Sequence, residues 1–242
     1  MSKHVLIFDL SNLCYIGAKS RPVPEGAEAH VYFNNIMDYL REHYRYFKPE
    51  QVVFACDHDA PYWRSSIYPP YKANRPDSEF KRLVRSLIHR IKTEHAHLCL
   101  EVEHCEADDV IYALCQYTDF RLTVVSSDSD FEQLLSERVR LFSPMRRQFY
   151  ARPKDIALQL FVKCIRGDRT DNVPSALPMI QRKKLLEAYR QEDPVSYLSR
   201  KYQQHPNFYT DFKRNQSLID LNAIPEHLKT ALHQEVARFF AS

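Results

Sequence analysis

The sequence predicts an α/β fold, a mostly parallel sheet flanked by helices, followed by a helical C-terminal portion. Three observations carry that class. Four short apolar runs, 5–8 (VLIF), 52–56 (VVFAC), 98–102 (LCLEV) and 122–125 (LTVV), have the near-continuous character of strands buried on both faces. Segments with apolar residues at helical spacing lie between them. Beyond about residue 154 strand signals fade and only helical patterns remain. Strands alternating with helices stack as layers around a parallel sheet.

The elements follow in order. The first strand runs into Asp9. A stripe of Phe33, Ile36, Met37, Leu40, Tyr44 and Phe47 predicts a long helix with one apolar face, and the second strand then ends at Asp57. Phe80, Leu83, Val84, Leu87, Ile88 and Ile91 predict a helix over roughly 79–93. After the third strand, Val110, Ile111, Leu114 and Tyr117 predict another. Residues 139–142 and 148–150 read as a hairpin around "SPMRR". The helical portion holds "KDIALQLFVKCI", "IQRKKLLEAYR" and "PEHLKTALHQEVARFF", the last with Pro225 near its first turn. The predicted division is a core over 1–153 and a helical region over 154–242.

Composition narrows the classes. The chain has 242 residues, 44% hydrophobic and 27% charged, as a globular domain with a real core requires. No apolar stretch approaches the roughly 20 residues of a membrane span, and the start carries only a four-residue apolar run before Asp9. A cytoplasmic protein without a membrane partner is expected, and with no heptad seam a monomer is expected too. The six cysteines lack CxxC spacing and read as buried free thiols. With only Gly17, Gly26 and Gly167, a Gly-rich phosphate loop is excluded.

The acids are placed less ordinarily. Asp9 ends the first strand and Asp57 the second. Asp128 and Asp130 follow the fourth, and Glu106, Asp108 and Asp109 open the helix after the third. Ser129 with Glu132 fits a capping box, and strand-end acids often serve only as caps or turn formers. Here four segments deliver seven carboxylates to the carboxyl edge of one parallel sheet, where α/β folds gather functional groups. Like charges so gathered raise one another's pKa and call for a counter-charge. Oxygen donors suit hard Mg²⁺, with Mn²⁺ as a substitute, and their number suggests two ions as in phosphoryl chemistry.

Basic groups accompany this edge. "YPPYKANRPD" holds Tyr71, Lys72 and Arg75, and the helix beyond carries Lys81, Arg82, Arg85, Arg90 and Lys92 opposite its apolar stripe. Further on, "CIRGDRTDNVPSALPMIQRKKLLEAY" sets Gly167 before Asp168 and Asp171 and opens a helix with Arg182, Lys183 and Lys184. Basic helix N-termini bind phosphate oxygens readily. The same features also suit a solvated helix face and a helix–turn–helix connector.

The ordered set "FDLSN", "YKANR", "EADD", "SSDSDF.QLL" and "GDRTDNVP" resembles the 5′-nuclease, or flap endonuclease, family over about residues 5–175. The tail "FKRNQSLIDLNAIPEHL" is similar to the RNase H branch found in T-even bacteriophages. The resemblance implies a PIN-like sheet, a helical arch or clamp over about 60–97, and a C-terminal helix–three-turn–helix region. It implies two-metal hydrolysis of phosphodiesters near the 5′ ends of RNA or DNA in duplex, nicked or flap substrates, as in RNA-primer removal during replication. Carried over position by position, the metal set is Asp9, Asp57, Glu106, Asp108, Asp109, Asp128, Asp130, Asp168 and Asp171. Lys72 and Arg75 match the basic pair that steadies the scissile phosphate, and Tyr71 occupies a base-stacking place. The nucleic-acid contacts expected are Tyr71, Lys72, Arg75, Lys81, Arg82, Arg85, Arg182, Lys183 and Lys184, and Asp128 is expected to be essential for catalysis. Branched or nicked DNA and RNA–DNA hybrid are the implied substrates, with a sliding clamp or single-strand-binding protein as candidate partners.

Two departures stand out. The loop "PSALPMIQRKK" lacks the glycines that expose carbonyls to a monovalent ion, which argues against a bound K⁺. Only 30 residues separate Arg75 from Glu106, so a short or open arch is expected. A PIN-type ribonuclease would need neither "YKANR" nor "GDRTDN". An aspartyl-nucleophile phosphatase would place an acid where Ser11 stands. A non-catalytic DNA-structure binder would have lost acids that are all present.

Overall fold

The computed structural model describes residues 2–59 and 61–241. Met1 and Ser242, at the ends of the predicted domains, and Ala60, at the predicted start of the arch, lie outside them. In chain order the elements are β1 (His4–Asp9), α1 (Leu10–Ala18), α2 (Ala29–Phe47), β2 (Gln51–Ala55), α3 (Trp63–Ile67), α4 (Glu79–Glu94), β3 (Cys99–Leu100), α5 (Ala107–Tyr117), β4 (Arg121–Val125), β5 (Val139–Ser143), β6 (Gln148–Phe149), α6 (Ile156–Arg166), α7 (Arg182–Tyr189), α8 (Pro194–Lys201), α9 (Phe208–Ile219) and α10 (Glu226–Ala241).

The strands form one sheet in the order β3-β2-β1-β4-β5-β6, parallel except for the antiparallel edge strand β6. From β1 the chain builds outward through β2 and β3, then crosses to β4 on the other side. The strand order therefore reverses between β1 and β4, and ligands of open α/β sheets bind at such a reversal. Leu6 and Phe8 share one core with α1, α2 and α4. The third run is strand only over Cys99–Leu100, because Ala96–Leu98 closes into a 3-10 turn.

The chain divides into two compact units, and they differ from the predicted division. One comprises 1–61, 77–152 and 225–242; the other comprises 62–76 and 153–224. The last helix, α10, belongs to the sheet-bearing unit because Leu228, Leu232 and Val236 are buried there, with Tyr117 against His233 at 4.7 Å and Phe120 against Phe240 at 4.9 Å. The segment expected as a single arch is split. Residues 62–76 join the helical unit, whereas α4 buries Val84, Leu87 and Ile91 in the core with α1 and α2. Burial of each such side chain stabilises by roughly 1.5–3 kcal/mol, so α4 is a structural helix of the core that shows its basic face outward.

The helical unit has its own core, in which Phe161, Ile165, Leu185, Leu198, Phe208 and Phe212 are buried together. Gly167 ends α6 at φ 72°, and a Cβ there would lie 2.3 Å from the Val173 carbonyl oxygen. The bridge between Asp168 and Val173 accounts for that closeness. All six cysteines are free thiols, and no helix of the described residues is long and apolar enough to cross a membrane.

Candidate active site

The acidic edge belongs to the sheet-bearing unit. Asp9 is the last residue of β1 and the N-cap of α1, where its Oδ1 accepts from the Asn12 amide at 3.1 Å. Its Oδ2 accepts from Ser126 Oγ at 2.8 Å. Ser126 is fully buried just past β4, and its Oγ also accepts from the Asp128 amide at 3.1 Å. Asp57, beyond β2, accepts from Ser11 Oγ at 2.6 Å and from the Ala107 amide at the start of α5 at 2.9 Å. Hydroxyls and backbone amides thus fix both strand-end carboxylates.

At the head of α5, Glu106 and Asp109 form a reciprocal capping box, each side chain accepting from the other's backbone amide. Both are almost fully buried. Asp108 opens the same helix. After β4, Asp128 caps the 3-10 turn Ser129–Leu134, its Oδ1 accepting from the Asp130 amide at 2.8 Å. The capping box expected from Ser129 and Glu132 is therefore replaced by an aspartate one residue earlier, since the turn is 3-10 and Asp128 remains extended.

Asp9 shows the electrostatic character of this edge. Burial pushes its carboxyl up to about 7, and the Asp57 and Asp128 charges add to the rise against the bonds from Ser126 and Asn12. Among the described residues no three Asp, Glu, His or Cys side chains already converge into a closed metal cage. The donor chemistry nevertheless fits a hard divalent cation: a buried carboxylate and its acidic neighbours at the reversal between β1 and β4, short of positive charge.

The other predicted site residues belong to the helical unit, where "YKANR" and "GDRTDN" are laced together. Asp171 accepts from Arg75 at 2.5 Å and Tyr71 Oη at 3.1 Å, lies 3.9 Å from Lys72 Nζ, and offers its carbonyl to the Lys72 amide at 2.9 Å. Asn74 and Asn172 each donate to the opposite loop's backbone, at 2.8 and 2.7 Å. Lys72 takes a left-handed φ of 56° in this arrangement. Tyr71 is buried in the unit's core, which corrects the expectation of a base-stacking ring: it positions Asp171 instead. Asp168 is held by Lys163 at 2.8 Å. Burial raises its carboxyl, but Lys163 and the amides of Thr170 and Asp171 outweigh burial and keep it below the usual range.

The basic helices divide by unit as well. On α4, Arg82 and Arg85 are exposed and share Asp77 at 2.8 and 2.7 Å, and Lys81 is half-buried. Arg90 pairs with Glu94, and Lys92 with Glu101. On α7, Arg182 and Lys183 are exposed at an N-terminus without a side-chain cap, while Lys184 pairs with Glu187 at 3.1 Å. Sequence reasoning missed Ser126 and Asn12 as holders of the acidic edge. The available signal was the polar residues flanking each strand-end acid, in "DLSN" and "SSDSD".

A family model described as "5′-3′ exonuclease, N-terminal resolvase-like domain" matches residues 14–161. DNA polymerase I of Rhizobium leguminosarum is 32% identical over 161 residues, covering 61% of this chain and 16% of that protein. A 5′-3′ exonuclease of Aquifex aeolicus is 31% identical over 158 residues, covering 58% of this chain and 54% of that protein. The chain thus spans about a sixth of the length of the first and about half of the second. Among solved structures, the D15 flap endonuclease of bacteriophage T5, in a pseudo-enzyme-product complex with DNA and metal ions, superposes with a TM-score of 0.71 at 18% identity. That match covers 99% of this chain and all of the other, and it shows a shared fold.

Proposed function

The chain belongs to the 5′-3′ exonuclease family, and from that premise we propose that it is a metal-dependent 5′-nuclease. Its substrates are phosphodiesters near the 5′ ends of DNA or RNA in nicked, flapped or primer-bearing duplexes, and it works as a cytoplasmic monomer. The observation that carries the reading is the buried, hydrogen-bonded Asp9 beside Asp57 and Asp128 at the strand-order reversal.

Asp9, Asp57, Asp108, Asp128 and Asp130 would hold divalent ions, Mg²⁺ with Mn²⁺ as substitute, and Glu106 and Asp109 support them from the head of α5. Bound there as a pair, such ions would supply Lewis-acid activation of the attacking water and charge stabilisation at the leaving oxygen. Ser11 and Ser126 keep two carboxylates aimed. In the helical unit, Arg75 and Lys72 offer positive charge to phosphate oxygens, and charge-assisted bonds of this kind stabilise the extra charge of the transition state. Asp171 orients the pair. The resemblance adds Asp168 and Asp171 to the ligand set, and within their own unit they also act as counter-charges to Lys163, Lys72 and Arg75. Arg182, Lys183 and the outward face of α4 supply further phosphate contacts, and no K⁺ is assigned to the glycine-free loop.

The test is cleavage of 5′-labelled flap, nicked, RNA-primed and single-stranded substrates with Mg²⁺, with EDTA and Asp128→Ala alongside. Short products from the 5′ ends of branched or nicked substrates, lost in both controls, are expected. Tight flap binding without cleavage in Mg²⁺ or Mn²⁺ would instead indicate a DNA-structure-binding protein.

A further inference from the structure

From the sheet-bearing unit we infer that a groove between α2 and the β5–β6 hairpin is a nucleotide subsite for single-stranded nucleic acid, with Tyr46 taking a base and Arg147 its phosphate. The groove has a volume of about 450 Å³ and is lined by Glu42, His43, Tyr46, Phe142 and Arg147. That volume lies within the roughly 300–1,000 Å³ of small-ligand sites and admits a single nucleotide.

Three independent features fit this occupant. Tyr46 is 69% exposed, an unusual place for a large ring, and it leans on Phe142 at 6.0 Å with 37° between planes. One side of the ring is braced and the rest is open, as a stacking platform requires. Arg147 sits at the hairpin turn with a left-handed φ of 52° and has no ion-pair partner among the described residues. Glu42, the acid in the groove, is already paired with Arg21 at 2.9 Å, a guanidinium it shares with Asp38. The groove therefore carries an unspent cation beside an open aromatic face, the pairing that binds single strands with little regard to sequence.

Arg146 and Met145 extend the surface at the same turn. Both are exposed, and the Arg146 guanidinium lies 5.7 Å from the Tyr150 ring. Tyr150 Oη donates to the Ser127 carbonyl at 3.0 Å, one residue before Asp128. The hairpin thus joins the groove to the acidic edge within one unit. This inference extends the proposed nuclease reading by naming where an unpaired stretch of its substrate is held.

The experiment measures binding of fluorescein-labelled oligo(dT) by anisotropy in EDTA, and Mg²⁺-dependent cleavage of a nicked duplex that lacks single-stranded arms. Tyr46→Ala and Arg147→Ala should each weaken oligo(dT) binding by about 5- to 20-fold, with nicked-duplex cleavage unchanged. Tyr46→Phe should restore binding, since only the ring is needed. An oligonucleotide carrying 5-iododeoxyuridine should photo-cross-link to the peptide containing Tyr46. Unchanged binding by both alanine variants, or cross-linking confined to other peptides, would overturn the subsite. A wild-type protein that cleaves nothing but binds oligo(dT) through Tyr46 would remove the nuclease reading and leave the subsite standing.

Discussion

Ser126 Oγ donates to Asp9 at 2.8 Å while accepting from the Asp128 amide, so one buried hydroxyl sets the spacing between the ends of β1 and β4. A carboxylate aimed this way is already oriented before a cation arrives, and losing such a support typically costs 10–100-fold in metal affinity or activity. Ser126→Ala should lower cleavage by about that factor and raise the Mg²⁺ concentration needed. Ser126→Thr should recover most of the loss. Equal loss in the threonine variant would mean that packing, not the hydroxyl, is what matters.

Asp9 predicts a trade between stability and function. Its folded pKa of about 7 lies above the ordinary carboxylate value. The protonated form is thus favoured by folding, and the associated stability is present below pH 3.8 and lost as pH rises through 7. At pH 8 without metal, Asp9→Asn should raise stability by about 1–3 kcal/mol and abolish cleavage. Thermal melts in EDTA decide it, and a lower melting temperature for the variant would show that the native site compensates the charge by other means.

Gly167 is predicted to tolerate no side chain. A Cβ would meet the Val173 carbonyl oxygen at 2.3 Å and Pro174 at 2.6 Å, all backbone, and φ is 72°. Gly167→Ala should destabilise by about 3 kcal/mol or more, read as a shifted urea midpoint. Because the bridge from Asp168 to Val173 shapes the loop bearing Asp171, duplex binding should weaken as well. A midpoint within error of wild type would refute the steric argument.

The buried His43 predicts acid sensitivity. Burial lowers its pKa despite its Nδ1–H bond to the Tyr39 carbonyl, and burial with the Arg121 charge lowers that of His4. The unfolded chain then takes up these protons first. The stability this provides is complete above about pH 6.5 and is lost as pH falls through the lower folded values. His43→Phe, in a setting already formed by Phe8, Phe47 and Phe142, should flatten the stability profile below about pH 6.5. An unaltered slope would place the effect elsewhere.

The sheet was legible because buried parallel strands write themselves as near-continuous apolar runs, the first ending in Asp9 and the second followed closely by Asp57. The missed helices had weaker signatures. The helix α1 begins directly on the strand-end aspartate without a loop, α8 buries only Leu198, and α9 has the polar Asn215 among its buried positions Phe208, Phe212, Leu218 and Ile219. The assignment of 62–76 and 225–242 to their units was not legible, because it depends on long-range burial: within the helical unit Arg64 bonds the Leu218 carbonyl, and Tyr71 packs beside Phe161. At the site, residue types gave the acids, but the serines that aim them have no signature beyond adjacency. An aromatic beside Lys72 looks the same in sequence whether it faces solvent or a core, and Tyr71 faces the core of its unit.

The placement of α10 has a consequence for synthesis. The sheet-bearing unit recovers its last helix only after 62–76 and 153–224 have been made. At roughly 5–20 residues per second, a ribosome completes the helical unit seconds before α10 emerges. Until then a nascent chain exposes the apolar patch that Leu228, Leu232 and Val236 later cover, along α5. The face of the sheet-bearing unit that Leu228, Leu232 and Val236 cover is therefore the last to be closed during synthesis.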